Sequence, residues 1–333
     1  MPCGLRRKLP SFVFAVLVAL ATAGVAAAGN GGFAPVQPAS TNASHTVTAY
    51  YVILGFTSAI FVIVEGLLVV FVVKYRRRGR ARDVEGAQVH GHTRLELIWT
   101  VIPVLILGVI GLVVFLELPK IKDAPAAAHP VNITVEGHQY YWQFDYPNGA
   151  RSINTLVVPQ GQVVDLSVVS PDVIHSWWIP ALGGKIQAIP GRVNHTWFRA
   201  TKQGTFTGQC AQLCGVYHAS MLAQVDVKDG SSYRSYISTV ARATLGKQEW
   251  TGVCATCHGM DGQGGYGPDI SGSTLLTNRA SLVGILRTGL DTSRAGAMPP
   301  VGITWTPAQV TALLNYVKRN IYNATPAGAT SGG

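Results

Sequence analysis

A chain of 333 residues exceeds one ordinary domain and has room for two or three. Hydrophobic residues make up 48% of it and concentrate in three blocks within the first 120 positions, which excludes a uniformly soluble protein. The formal charge of +10 is mostly local, with Arg6, Arg7 and Lys8 at the start and Lys74, Arg76, Arg77, Arg78, Arg80 and Arg82 crowded into nine positions, so it makes no case for a nucleic-acid partner.

In chain order, the basic start and the apolar run from Phe12 to Ala28 read as a secretory signal over 1–28, the rival reading being an uncleaved anchor helix. Cys3 precedes that run and leaves with it. An outside segment over 29–47 follows. The blocks at 48–73 and 95–118 are each long enough to span a bilayer, which takes roughly 20 apolar residues. The basic loop between them, 74–94, marks the cytoplasmic side, so both ends of the hairpin face outward. This agrees with the exported start and predicts a multi-pass protein of a bacterial cytoplasmic membrane. Its soluble part would lie on the outer side.

From 131 to 228, short alternating runs such as VNITVEG, TLVVPQGQVVDLSVVS and MLAQVDVKD are separated by Pro, Gly and Asn turns and predict a β-sandwich, assigned to 125–229. A polar helical connector is expected over 230–248. Gly-rich loops follow in a domain over 249–322. There, TPAQVTALLNYVKRN reads as an amphipathic helix with Thr306 as N-cap and Gln309 three residues on. The tail 323–333 is low-complexity.

Cys254-Ala-Thr-Cys257-His258 is a C-x-x-C-H run, the signature of covalent haem c attachment with His258 as an axial iron ligand. The sixth ligand should be Met or His. Met298, in GAMPP, can lie across the haem, whereas Met260 is too near His258 to reach the other face. The segment then looks like a small, all-α class I cytochrome c, an electron carrier.

GQCAQLCGVYHASM sets Cys210, Cys214, His218 and Met221 within fourteen residues. Thiolate, imidazole and thioether donors outside the cytoplasm suit copper. Two thiolates can bridge two metal ions, and a second histidine is then needed. His175, in PDVIHSWWIP, stands out, while His138 and His195 read as strand histidines with backbone partners. A disulfide with a chance His and Met is the bland alternative.

HSWWIP, GGKIQAIPGRVN and GQCAQLCGVYHASM, with LELIWTVIP and QYYWQFDY, resemble subunit II of haem–copper cytochrome c oxidases, which carry the dinuclear copper centre CuA. The appended haem domain resembles members with a fused donor. The resemblance implies a multi-domain chain: a two-helix transmembrane hairpin, an all-β cupredoxin-like Greek-key sandwich, then the cytochrome. It implies bridging Cys210 and Cys214, terminal His175 and His218, a weak thioether from Met221 and a backbone carbonyl from Gln212. It further implies electron input to haem in subunit I, where dioxygen is reduced with proton pumping. The implied partners are subunit I, others such as subunit III, and a cytochrome c or quinol-oxidising complex as donor. Gln212 and Gln187 replace the usual Glu and Asp, which puts a magnesium ion at the subunit I boundary in question. Members fed by a free cytochrome c place Trp first in the aromatic cluster. Here Tyr140 leads and Trp142 follows, so both are candidates for the electron path. Glu96 falls where the resemblance puts the mouth of a proton path, and an interfacial acid at a helix start is an equal reading. Glu65 has no assigned role. A nitric oxide reductase subunit with the same copper centre is the nearest rival, and a copper carrier or sensor the rival of another class.

Overall fold

The computed structural model describes residues 35–76, 88, 90–126, 129–290 and 298–322. The expected signal segment, most of the basic loop and the tail lie outside the described residues. The chain divides into two units, Ser44–Asp123 and the remainder.

In the first unit, α1 (Thr41–Tyr75) and α2 (Thr93–Lys122) are long and apolar enough to cross a membrane. Both overrun the expected spans, because polar caps extend them. His92 accepts a hydrogen bond from Leu95 N, and Glu96 Oε1 accepts one from His92 N at 3.0 Å. Near the other end, His45 Nδ1 lies 2.7 Å from Glu117 Oε2, and Lys120 Nζ donates to Glu117 Oε1 at 2.9 Å. These polar contacts hold charge at the helix ends, where hydrocarbon need not solvate it.

In the second unit, ten strands build the sandwich. The larger sheet runs β3 (Arg151–Ile153), β2 (Tyr141–Asp145), β1 (Val131–His138), β5 (Val163–Val169), β8 (Asn194–Arg199). The smaller runs β4 (Thr155–Pro159), β10 (Leu222–Lys228), β9 (Gly204–Gln209). A two-stranded ribbon pairs β6 (His175–Trp177) with β7 (Ile186–Ala188). The β1/β5 and β4/β10 pairs are parallel and the others antiparallel. Alternation in β5 and β10 turns Val164, Leu166, Val168, Val225 and Val227 inward on Trp142, Phe144 and Trp177. Residues 39–42, which belong to this second unit, are strapped to the sandwich: Ala39 N donates to Ala181 O, and Asn42 Nδ2 to Trp197 O.

The stretch expected to be a connector is part of one helical run. It comprises α3 (Gly230–Ser235), a π turn (Tyr236–Val240), α4 (Ala241–Glu249), a second π turn (Trp250–Cys254) and α5 (Ala255–His258). The boundary expected at Glu249 therefore falls inside a helix. Asp229 caps the start by accepting from Ser231 N and Ser232 N. Then come α6 (Arg279–Thr288), where only Gly-rich loops were expected, and α7 (Pro307–Asn320). The latter carries the expected capping box, with Thr306 and Gln309 bonded reciprocally.

This helical domain lies directly on the outer face of β2 and β3. Its core includes Tyr141 and Ile153 from the strands beside Trp250, Leu286, Trp305 and Leu313. Polar bonds surround that core: Trp305 Nε1 donates to Tyr141 Oη at 2.8 Å, Gln309 Nε2 to Gln143 Oε1 at 2.9 Å, and Arg151 Nη1 to Thr306 Oγ1 at 2.9 Å. The two domains are packed, not tethered.

Candidate metal centres

The first centre is built where β6 meets the β9–β10 loop. Cys210 N donates to Met221 O at 2.9 Å, which closes the base of the loop, and Ala211 N donates to Ser176 O at 2.9 Å, which ties it to β6. At its tip, Gly215 adopts φ +135°, where a Cβ would also strike the Tyr140 hydroxyl, so glycine is required. Gln139 Nε2 donates to Cys214 O at 2.6 Å.

These ties gather the expected donors. Cys210 Sγ and Cys214 Sγ stand 4.0 Å apart, as free thiols and not a disulfide. His175 Nδ1 is 3.9 Å from Cys210 Sγ, and His218 Nδ1 is 3.5 Å from Cys214 Sγ. Met221 Sδ is 3.9 Å from Cys214 Sγ, and Gln212 O lies 3.2 Å from Cys210 Sγ. Each sulfur thus has its own imidazole on the outside. That is a donor set for two metal ions sharing two thiolates, and soft donors of this kind fit copper. His175 Nε2 is held by Asp172 Oδ1 at 2.8 Å, which leaves Nδ1 as the nitrogen facing the sulfurs.

Electrostatics favour the thiolate at Cys210 and oppose it at Cys214. Burial raises the Cys210 thiol, but the His175 ring and backbone hydrogen bonds at Ser176 and Gln212 outweigh it and hold the thiol below its ordinary value. Cys214 moves the other way, through burial and the neighbouring Cys210. Asp172, despite burial, is held low by its bonds to His175, Val173 and Gln139.

The second centre is a cavity of about 350 Å³, within the roughly 300–1,000 Å³ usual for cofactor sites. It is lined mainly by apolar side chains and also by Cys254, Cys257, His258 and Met298. His258 Nδ1 lies 2.9 Å from Pro268 O, a bond that fixes the ring and leaves Nε2 for a metal. Gly267 permits this approach, since a Cβ there would stand 2.7 Å from His258 Cε1. Met298 is set in the wall by paired backbone bonds with Leu290. Thiols, imidazole, thioether and apolar walls fit a covalently held haem.

The remaining candidates fall elsewhere. Trp142 is fully buried beneath His175, with ring centroids 6.0 Å apart. Gln212 and Gln187 have exposed side chains. His138 and His195 lie on strands as expected, but their partners are the Glu136 and Ser167 side chains and not backbone groups. Glu96 serves as a cap of α2. Sequence reasoning missed Asp172, Gln139, Tyr217 and Tyr266. The acid three residues before His175 was the one available signal among them.

The chain matches three family descriptions: the cytochrome c oxidase subunit II transmembrane domain over 29–116, its periplasmic domain over 150–227, and the cbb3-type cytochrome c oxidase subunit III over 241–317. Cytochrome c oxidase subunit 2 of Alkalihalophilus pseudofirmus is 35% identical over 61% of this chain and 64% of that one, so just under two thirds of that relative is spanned. Subunit 2 of Thermostichus vulcanus is 33% identical over 64% of this chain and 81% of its own length. A probable subunit 2 from Rickettsia bellii is 32% identical over 62% and 83%. The periplasmic domain of subunit II of cytochrome oxidase from Bradyrhizobium japonicum aligns with 34% of the chain at 37% identity and a TM-score of 0.33. The fold and donor sets define a membrane-anchored redox protein with a cupredoxin and a cytochrome c domain. The chain belongs to the cytochrome c oxidase subunit II family.

Proposed function

We propose that this protein is the electron-input subunit of a respiratory haem–copper oxidase. Electrons would pass from an outer donor to haem c, then to CuA, then to haem in subunit I, where dioxygen is reduced to water with proton pumping. The observation that carries the reading is the convergence of Cys210, Cys214, His175, His218, Met221 and Gln212 O on one buried point beside the C-x-x-C-H cavity.

His175, Cys210, Gln212, Cys214, His218 and Met221 would hold the copper pair. Cys254 and Cys257 would bond the haem, with His258 and Met298 as axial ligands. When bound, these groups supply one-electron storage. The chain's residues keep that storage fast by keeping it rigid: the loop is closed at its base, pinned at Cys214 O, and its first histidine is clamped by Asp172. The walls of the haem cavity are largely apolar. The helix pair would anchor this part on the outer side of a bacterial membrane, beside subunit I and its companions such as subunit III. Glu96, at the start of α2, remains the candidate mouth of a proton path.

The test is the full chain made in an exporting, haem-attaching host and loaded with copper. The expected EPR signal shows one electron shared over two coppers, with one covalent haem per chain. A single-copper spectrum, or a Cys210–Cys214 disulfide without copper, overturns the reading.

A further inference from the structure

Three tyrosines from different segments meet where the copper-type loop borders the cavity, beside Gln139 and Val216, with Tyr266 72% exposed. Tyr140 precedes β2, Tyr217 belongs to the copper-type loop, and Tyr266 lies in the Gly-rich loop after His258. The Tyr217 ring stands edge-on to both others, at 5.3 Å from Tyr140 and 5.0 Å from Tyr266. All three line the haem-sized cavity. The Tyr140 hydroxyl lies against Gly215 of the loop, where an added Cβ would run into it, so the loop and the cavity wall are one packed piece.

Electron tunnelling weakens steeply across empty space and far less through bonded or packed atoms. Tyr217 lines the cavity and is covalently joined to His218, whose Nδ1 is 3.5 Å from Cys214 Sγ. Gln139 is the competing route, because it also lines the cavity and donates to Cys214 O. It reaches the loop through a hydrogen bond, whereas Tyr217 is part of the loop.

We propose that Tyr217 is the positioning residue for electron transfer between the two centres, with Tyr140 and Tyr266 fixing its ring edge-on. This rests on the functional reading above. The step balances as one electron out of the iron held by His258 and one into the copper pair. No bond forms or breaks, no proton moves, and the tyrosine is not itself oxidised.

The test uses the full chain with haem and copper, a soluble ruthenium photoreductant, and the variants Tyr217→Phe, Tyr217→Leu, Tyr266→Leu and Gln139→Leu. After a flash, reoxidation of the haem is followed optically. Tyr217→Leu is expected to slow it by up to about 100-fold, the scale of loss that a misplacement of about 1 Å can produce. Tyr217→Phe should keep the rate, and Gln139→Leu, which unpins Cys214 O, should lose less than Tyr217→Leu. An unchanged rate in Tyr217→Leu, or an equal loss in Gln139→Leu, overturns the proposal. If Tyr217→Leu does not take up copper, Tyr266→Leu decides: slowing supports the proposal and an unchanged rate overturns it. A second readout is the broadening of the copper EPR signal by the haem iron. Unchanged broadening with a slowed rate supports a role in the route, while lost broadening shows that the domains moved and overturns it in favour of a structural role. If the unsubstituted chain shows no two-copper signal, the functional reading itself has failed.

Discussion

Asp172 touches no sulfur, yet it decides which face of His175 can bind a metal. Its Oδ1 holds Nε2 at 2.8 Å and its Oδ2 accepts from Gln139 N at 2.7 Å, so one carboxylate braces both the ligand and the residue that pins Cys214 O. Asp172→Asn is expected to weaken copper binding by roughly 10- to 100-fold, the usual loss on removing a carboxylate behind a ligating histidine. Competitive copper titration of the full chain would measure it, and undiminished affinity would show that packing alone orients the ring. Glu249 is a different case. It is fully buried, neither oxygen reaches a hydrogen-bond partner at full geometry, and nearby Gln309 and Arg151 offset only part of the desolvation. Burial pushes its carboxyl from 4.5 up to about 9. A raised carboxyl means that the folded state binds more protons than the unfolded one between those values. Stability from this group should therefore fall as pH rises from about 4.5 towards 9. Glu249→Gln removes the charge that must be suppressed. It should flatten that slope and add ~1–3 kcal/mol near pH 8, as expected when a buried charge is replaced by a neutral amide. Thermal unfolding at pH 6 and pH 8 would show it, and parallel pH profiles would refute it.

At the scale of elements, close approach of backbones sets the sensitive points. Gly246 lies where α4 crosses α7, and a Cβ there would run into Ala312 O. Gly246→Ala is expected to cost ~1–3 kcal/mol by forcing the helices apart. Denaturant unfolding should show the loss, with weakened haem retention, and an unshifted midpoint would mean the crossing tolerates the methyl group. The same crossing explains what the sequence could and could not show. β1, β5, β10 and α7 were legible because they carry a clean period of two or a capping box. The helix α6 was not, because its inward face is short, with Leu282 and Leu286 buried, and Gly284 interrupts it before Gly289 ends it. Three-residue strands such as β6 are too short to show a period, although His175 within one was found by its chemistry. The ligand sets were legible because soft donors at fixed spacing have few other uses. The face of β2 and β3 that meets the helices was not. Tyr141, Gln143, Arg151 and Ile153 read as ordinary strand residues, and their partners lie some hundred or more positions away.

For the molecule as a whole, the union of sandwich and cytochrome is the defining feature. A donor on a flexible leash would search for its acceptor, and its effective concentration would depend on linker length. Here a helical run leads from β10 to His258 without a loop, and a shared core with polar bonds fixes the docking. Under the proposed route, encounter between the centres is removed from the kinetics. Electron transfer from haem to copper should be indifferent to glycerol and to added salt. Delivery from an outside donor to the haem should slow with viscosity and change with ionic strength, because it still involves diffusion of charged partners. Flash photolysis across a glycerol series separates the two steps. A haem-to-copper rate that follows solvent viscosity would mean the domains part and re-dock in each transfer. If it does not, the protein has converted a meeting of two molecules into a property of one, and its throughput is set at its outer rim.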